Sequence, residues 1–192
     1  MKKLAVLFLI AAALLCFQRE ASAAPLTDGQ ARTVIQQLVR RGHRIEDLWS
    51  YEAVFKKGTE PQQYDPDNVK YYPVDTGAFP YKTAKALVAD TRRTFSRKAI
   101  DEMGIFKLAP RYKDVDGAPC ALCLGQDGDP HEMKWFTQSA VIMRQTPSRV
   151  TARVRRVENR SGRESWARLE LVMEDGIWKL DQSSYADGAP AY

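Results

Sequence analysis

The chain has two histidines and three cysteines in 192 residues, so few of the side chains that most often run acid–base, nucleophilic or metal chemistry are present. It contains no Gly-x-Ser-x-Gly, no His-Glu-x-x-His and no glycine-rich phosphate loop. These absences remove the sequence basis for an esterase elbow, a zincin helix or a nucleotide cradle. Its longest apolar run covers residues 4–17, which is 14 residues, whereas a helix crossing a bilayer needs about 20. No stable membrane anchor is expected.

That apolar run belongs to an export signal. Lys2 and Lys3 precede it, and Ala21-Ser22-Ala23 supplies the small residues that signal peptidase requires before Ala24. Cys16 raises the possibility of a lipoprotein, but the bulky Leu15 before it fits the lipoprotein peptidase poorly, and Cys16 reads as signal-peptide filler. Residues 1–23 are therefore expected to be removed near Ala23, leaving residues 24–192 as a single domain in the periplasm or outside the cell. Loss of Lys2, Lys3, Arg19 and Glu20 lowers the net charge from +5 to +3. So mild a balance gives no reason to expect a nucleic-acid partner.

Thr27-x-x-Gln30 is a capping box, and Val34, Ile35, Leu38 and Val39 follow it at helical spacing. Gly42 is expected to end or bend this helix, while residues 45–55 fit either a second helix or irregular packing. Residues 57–80, rich in proline, glycine and tyrosine, read as a long loop. A helical pattern covers residues 82–103, with a possible break near Ser96 and a stop at Gly104. Residues 109–130 read as a turn-rich connection.

Beyond it the apolar period changes to two. Residues 140–145, 150–157, 165–173 and 177–182 alternate like strands, with turn signals at 159–162 and 174–176. Ala167, Leu169, Leu171 and Met173 share one face, and Trp166, Arg168 and Glu170 the other. The expectation is an α+β domain: N-terminal helices packed on one side of a curved antiparallel sheet of about four C-terminal strands.

The phrases Asp127-Gly128-Asp129-Pro130, Leu169-Glu170-Leu171-Val172 and Gly176-Ile177-Trp178-Lys179-Leu180-Asp181, in this order of elements, resemble a family of uncharacterised bacterial periplasmic proteins. That family has the nuclear transport factor 2-like, or cystatin-like, fold. The likeness covers roughly residues 83–182 and implies a cone-shaped domain with a pocket between sheet and helices, but carries no activity over to named residues. His131 departs from the family's Asp-Gly-Asp-Pro-Phe pattern, and the cysteine pair upstream is not a recognised feature of it.

Cys120 and Cys123 are spaced to bridge, to hold a metal or to exchange disulfides. In an oxidising compartment a structural disulfide is the expected reading. Redox catalysis lacks its helix and βαβ context, and a metal site would need to recruit His131 with Asp127 or Asp129. Asp114-Val115-Asp116-Gly117 and Asp127-Gly128-Asp129 resemble pieces of calcium loops without the downstream glutamate, and turn formation accounts for both. No cofactor or bound metal is expected.

The remaining candidates concern binding. Arg153, Arg155 and Arg168 form a basic stripe on the open side of the sheet, beside Trp166. Tyr71 and Tyr72 stand in the tyrosine-rich loop as possible partner contacts. A solvated strand face is the alternative for the arginines, and core filling the alternative for the aromatics. The expected function is that of an exported, non-enzymatic binding or accessory protein with a protein or small-molecule partner in the envelope. The alternatives are an inhibitor or immunity protein against an envelope-acting toxin, and a thiol-redox protein using Cys120 and Cys123.

Overall fold

Thr27 and Gln30 close the capping box as their spacing predicts. The Thr27 backbone N–H donates to Gln30 Oε1 at 2.8 Å, and the Gln30 N–H to Thr27 Oγ1 at 3.3 Å. They start helix α1, Asp28–Ser50. This computed structural model describes residues 24–50, 56, 58, 63–64, 70–106, 111–122 and 133–181. Gly42 does not stop α1, one of the two roles expected of it. Ile45, Leu48 and Trp49 extend the buried stripe of Ile35, Leu38 and Val39 beyond it, and this packing outweighs the roughly 1 kcal/mol that an interior glycine costs.

The second helical region divides where expected. Helix α2, Ala84–Thr94, is capped by the Thr83 side chain, and helix α3, Arg97–Met103, by Ser96, whose Oγ accepts from Ala99 N–H at 3.1 Å. The break is held from outside, because the Ser96 N–H donates to the Leu180 carbonyl at 2.8 Å. Gly104 ends α3 in the left-handed conformation at φ 65°.

Among the described residues eight strands form two antiparallel sheets. The C-terminal one is the expected meander, β5 (Met133–Gln145), β6 (Arg149–Glu158), β7 (Glu164–Glu174) and β8 (Ile177–Leu180), in that order. Asp175 and Gly176, at φ 56° and 76°, make the tight turn between β7 and β8. Val150, Ala152, Val154, Ala167, Leu169, Leu171 and Leu180 join Ile35, Leu38, Leu87 and Phe95 in one buried cluster, with Trp178 packed against it. Met173 is half-buried at the end of that row. The helices thus cover one face of the sheet: α1 lies on β5 and β8, and α2 reaches β8.

The second sheet corrects the expectation that helices come first and strands last. β1 (Gln63–Tyr64), β2 (Lys70–Pro73), β3 (Tyr112–Val115) and β4 (Ala118–Leu122) pair in the order β1-β2-β4-β3. They fall in the two segments expected to be loop, before α2 and after α3. Asp116 and Gly117, at φ 50° and 81°, turn β3 into β4. Asp116-Gly117 is the pairing that a two-residue hairpin favours, because both positions need positive φ.

β3 also fastens two helix ends. Tyr112 donates its hydroxyl to the Leu48 carbonyl at 2.8 Å, and Arg111 Nη1, just before the strand, donates to the Trp49 carbonyl at 2.9 Å. A guanidinium is thereby placed at the negative end of α1. Asp114 accepts the Ala84 and Lys85 N–H groups at 2.7 and 3.3 Å, placing a carboxylate at the positive end of α2. The aspartate of the calcium-loop-like phrase is a helix cap.

Candidate functional site

Continuation of α1 through Gly42 brings His43 into line with Ile35 and Val39 at intervals of four residues, the spacing that places side chains on one helix face. His43 is therefore turned toward the sheet, although Arg41 and Arg44 stand beside it in sequence. It is half-buried, edge-on to Trp135 of β5 with ring centroids 6.1 Å apart. Arg156 stands 5.7 Å from the same indole and is fixed by donation from Nε to Ser165 Oγ at 3.0 Å. Trp135 is thus the shared wall between helix and sheet.

Next to it β5 leaves regular pairing. Phe136 is opposite Arg155 and Val141 is opposite Arg153, so residues 137–140 face a single residue of β6. This bulge lifts Thr137, Gln138 and Ser139 off the ladder. Ser139 Oγ closes the loop by donating to the Phe136 carbonyl at 2.8 Å, and Arg32 Nε of α1 donates to the Ala140 carbonyl at 3.0 Å.

Between α1 and this distorted strand lies a cleft of about 720 Å³, within the range of small-molecule sites. Gln36, Arg40 and His43 line the helix side, with Lys134, Trp135, Phe136 and the bulge on the strand side; Arg155 and Asn159 reach in from β6 and its turn. No carboxylate is among these lining residues. Arg155 is shared with Glu164 at 2.7 Å and lies 4.2 Å over the Phe136 ring. Arg40 and Lys134 have no carboxylate partner among the described residues, and Lys134 Nζ is 5.4 Å from the centre of Phe136. The cleft pairs uncompensated positive charge with two aromatic walls, the arrangement that favours an anion carrying an apolar body.

The sequence-derived stripe lies on the sheet face turned away from the helices. Arg153 is directly opposite Arg168, and Arg155 directly opposite Trp166. All four are brought together there, with Arg153 Cζ 5.4 Å from the centre of the Trp166 ring. Arg168 is paired with Glu170 at 2.5 Å.

Tyr71 and Tyr72 are elsewhere, on β2 of the other sheet. Tyr71 is fully buried with Cys120 and Leu122, under Lys113 Nζ at 4.0 Å, and leaves no ring for a partner to touch. Tyr72 is half-buried. Aromatic type alone did not separate these two from Trp166; the β2–β4 pairing, in which Tyr71 faces Leu122, is what encloses the first.

Cys120 is buried in β4, and burial, followed by the nearby Asp114, pushes its thiol above the ordinary range. A raised thiol holds little thiolate at neutral pH, which is the reverse of what disulfide exchange requires. Its expected partner Cys123, together with His131, Asp127 and Asp129, lies outside the described residues. Among the described residues no three His, Cys, Asp or Glu side chains stand together as a metal site, and no helix is long and apolar enough to cross a membrane. No protein-family model matches the chain, and no curated protein matches it significantly.

Proposed function

We propose that this protein is an exported, non-enzymatic binding domain of the cystatin-like, nuclear transport factor 2-like kind, whose ligand is a small organic anion held in the cleft between α1 and β5. Export rests on the leader at residues 1–23. The fold assignment rests on the family resemblance, together with helices laid on one face of an antiparallel meander. The observation that carries the ligand reading is that the cleft is lined by Arg40 and Lys134, both without a carboxylate partner among the described residues, and by Trp135 and Phe136.

In this reading an anionic group lies between Arg40 and Lys134, and the ligand's apolar body rests against the aromatic rings. Gln36, Gln138 and Asn159 supply the amides that orient it. Arg155 is paired with Glu164 and covers one side of the Phe136 ring.

The test is a thermal-shift screen of the chain lacking residues 1–23 against aliphatic and aromatic carboxylates and phosphates, each with its neutral amide or alcohol counterpart. A ligand at about 100 times its Kd stabilises the folded state by about 2.7 kcal/mol, a rise of several degrees for a domain of this size. The expected result is stabilisation by anions alone, abolished in Arg40→Ala and Lys134→Ala. Equal shifts from the neutral counterparts, or anion shifts that persist in both variants, refute the assignment.

A further inference from the structure

The outer face of the C-terminal sheet breaks a rule of strand pairing. Arg153 of β6 and Arg168 of β7 are register partners, and like charges directly opposite one another weaken a sheet. Arg168 is neutralised along its own strand by Glu170 at 2.5 Å. Arg155, one position further on this face, is neutralised by Glu164 at 2.7 Å. Arg153 has no carboxylate among the described residues; its guanidinium is held only over the Trp166 ring, at 5.4 Å.

Beside this charge two apolar side chains are open to solvent. Trp166 is 40% exposed, and Val141, the register partner of Arg153 on β5, is 49% exposed. A single exposed apolar residue needs no explanation. An indole stacked on an uncompensated arginine, with a valine in the same cross-strand row, is the composition of an interface centre. Folding gains nothing from an opposed arginine pair, so the cost points to a use outside the fold.

We infer that this face docks an acidic segment of a partner protein, with a carboxylate set between Arg153 and Arg168 and a neighbouring apolar side chain of that segment on Trp166 and Val141. The row from Val141 through Arg153 to Arg168 spans two inter-strand gaps of about 4.8 Å each, enough for one extended chain with its side chains. Charge distribution favours a peptide over an anionic membrane or a nucleic acid. Glu164 and Glu170 stand within the same face, paired to its arginines, and would oppose a continuous sheet of phosphates while leaving a single local carboxylate at Arg153 undisturbed.

This inference stands apart from the cleft in its central residues: Arg153, Arg168 and Trp166 do not line the cleft and Arg40 is on α1, while Arg155, Phe136 and Lys134 mark where the two regions adjoin. The experiment selects peptides from a random displayed library on the immobilised chain lacking residues 1–23. Selected peptides are then measured by fluorescence polarisation against the native chain and against Arg153→Ala, Trp166→Ala and Arg40→Ala. Sedimentation with phosphatidylglycerol vesicles is run in parallel.

The expected result is enrichment of sequences in which Asp or Glu adjoins a large apolar residue. Binding should weaken about tenfold or more in Arg153→Ala and in Trp166→Ala, as for interface centres elsewhere, and stay unchanged in Arg40→Ala. Because the two truncated side chains are at the surface, unchanged melting temperatures verify that the variants are folded. Selected peptides without acidic residues, peptides bound equally by all variants, or vesicle binding that Arg153→Ala abolishes in the absence of peptide binding each overturn the inference.

Discussion

The indole N–H of Trp49 donates to the hydroxyl of Thr91 at 2.9 Å inside the core, and the same hydroxyl donates to the Leu87 carbonyl at 2.8 Å. One oxygen therefore satisfies the end of α1 and the interior of α2 at once. Thr91→Val keeps the shape and removes the acceptor, leaving a buried indole N–H unpaired. The expected loss is about 1–3 kcal/mol in urea unfolding. In a double-mutant cycle with Trp49→Phe, the second change should cost less in the Thr91→Val background than alone.

Asp114 binds the first turn of α2 from a neighbouring strand, so its contribution is that of a helix cap. Asp114→Ala is expected to destabilise by about 1 kcal/mol, with Asp114→Asn in between because it keeps an acceptor and loses the charge. A calcium titration of the native chain followed by melting temperature separates this role from that of a metal ligand: the cap predicts no calcium-dependent shift attributable to Asp114.

Tyr81 donates its hydroxyl to Asp90 at 2.6 Å, and Asp90 also pairs with Arg41, joining α1, α2 and the segment before α2. Burial pushes the Tyr81 phenol above its ordinary value of about 10, against the opposing pull of Arg44 and Arg41. The folded protein thus retains a proton that the unfolded chain releases first. Stability from this group is complete below pH 10 and falls as pH climbs toward the raised folded value. Tyr81→Phe should lower stability by about 1 kcal/mol at pH 7 and flatten the loss above pH 10 relative to the native chain, as measured by denaturant midpoints at each pH.

With its thiol raised by burial, Cys120 should react slowly. In a Cys123→Ser variant lacking residues 1–23, iodoacetamide labelling at pH 8 is expected to be slow in buffer and fast in denaturant, read by intact mass. Rapid labelling of the folded variant contradicts the buried setting. The native chain tests the expected Cys120–Cys123 bridge directly, since that bridge predicts a mass increase of about 2 Da on reduction.

Much of the fold was legible where the governing interactions are local. The capping box at Thr27, the break near Ser96, the stop at Gly104 and the four alternating strands of the meander each depend on neighbours within a few residues. The second sheet was not legible in the same way. β1 has two residues and β2 four, ending at Pro73, and Pro119 stands inside β4; in segments so short and proline-rich, loop signals outweigh alternation. Asp116-Gly117 was the available clue, a two-residue turn flanked by Tyr112 and Val115 on one side and by Cys120 and Leu122 on the other.

Of the binding candidates, Arg153, Arg155, Arg168 and Trp166 were found together because period-two alternation sorts residues to faces before any partner strand is known. The cleft escaped notice, since His43 has no visible relation to Trp135, and Arg40 none to Lys134, until α1 is laid on β5. The sequence by itself determined where α1 begins, where the second helical region breaks and which side of each C-terminal strand meets water, because caps, turns and alternation act between near neighbours. Only tertiary structure decided that α1 runs through Gly42, that β3 caps two helices, and that the bulge of β5 opens a cleft. Those outcomes depend on packing between groups as far as 108 residues apart, whose strength no local pattern records.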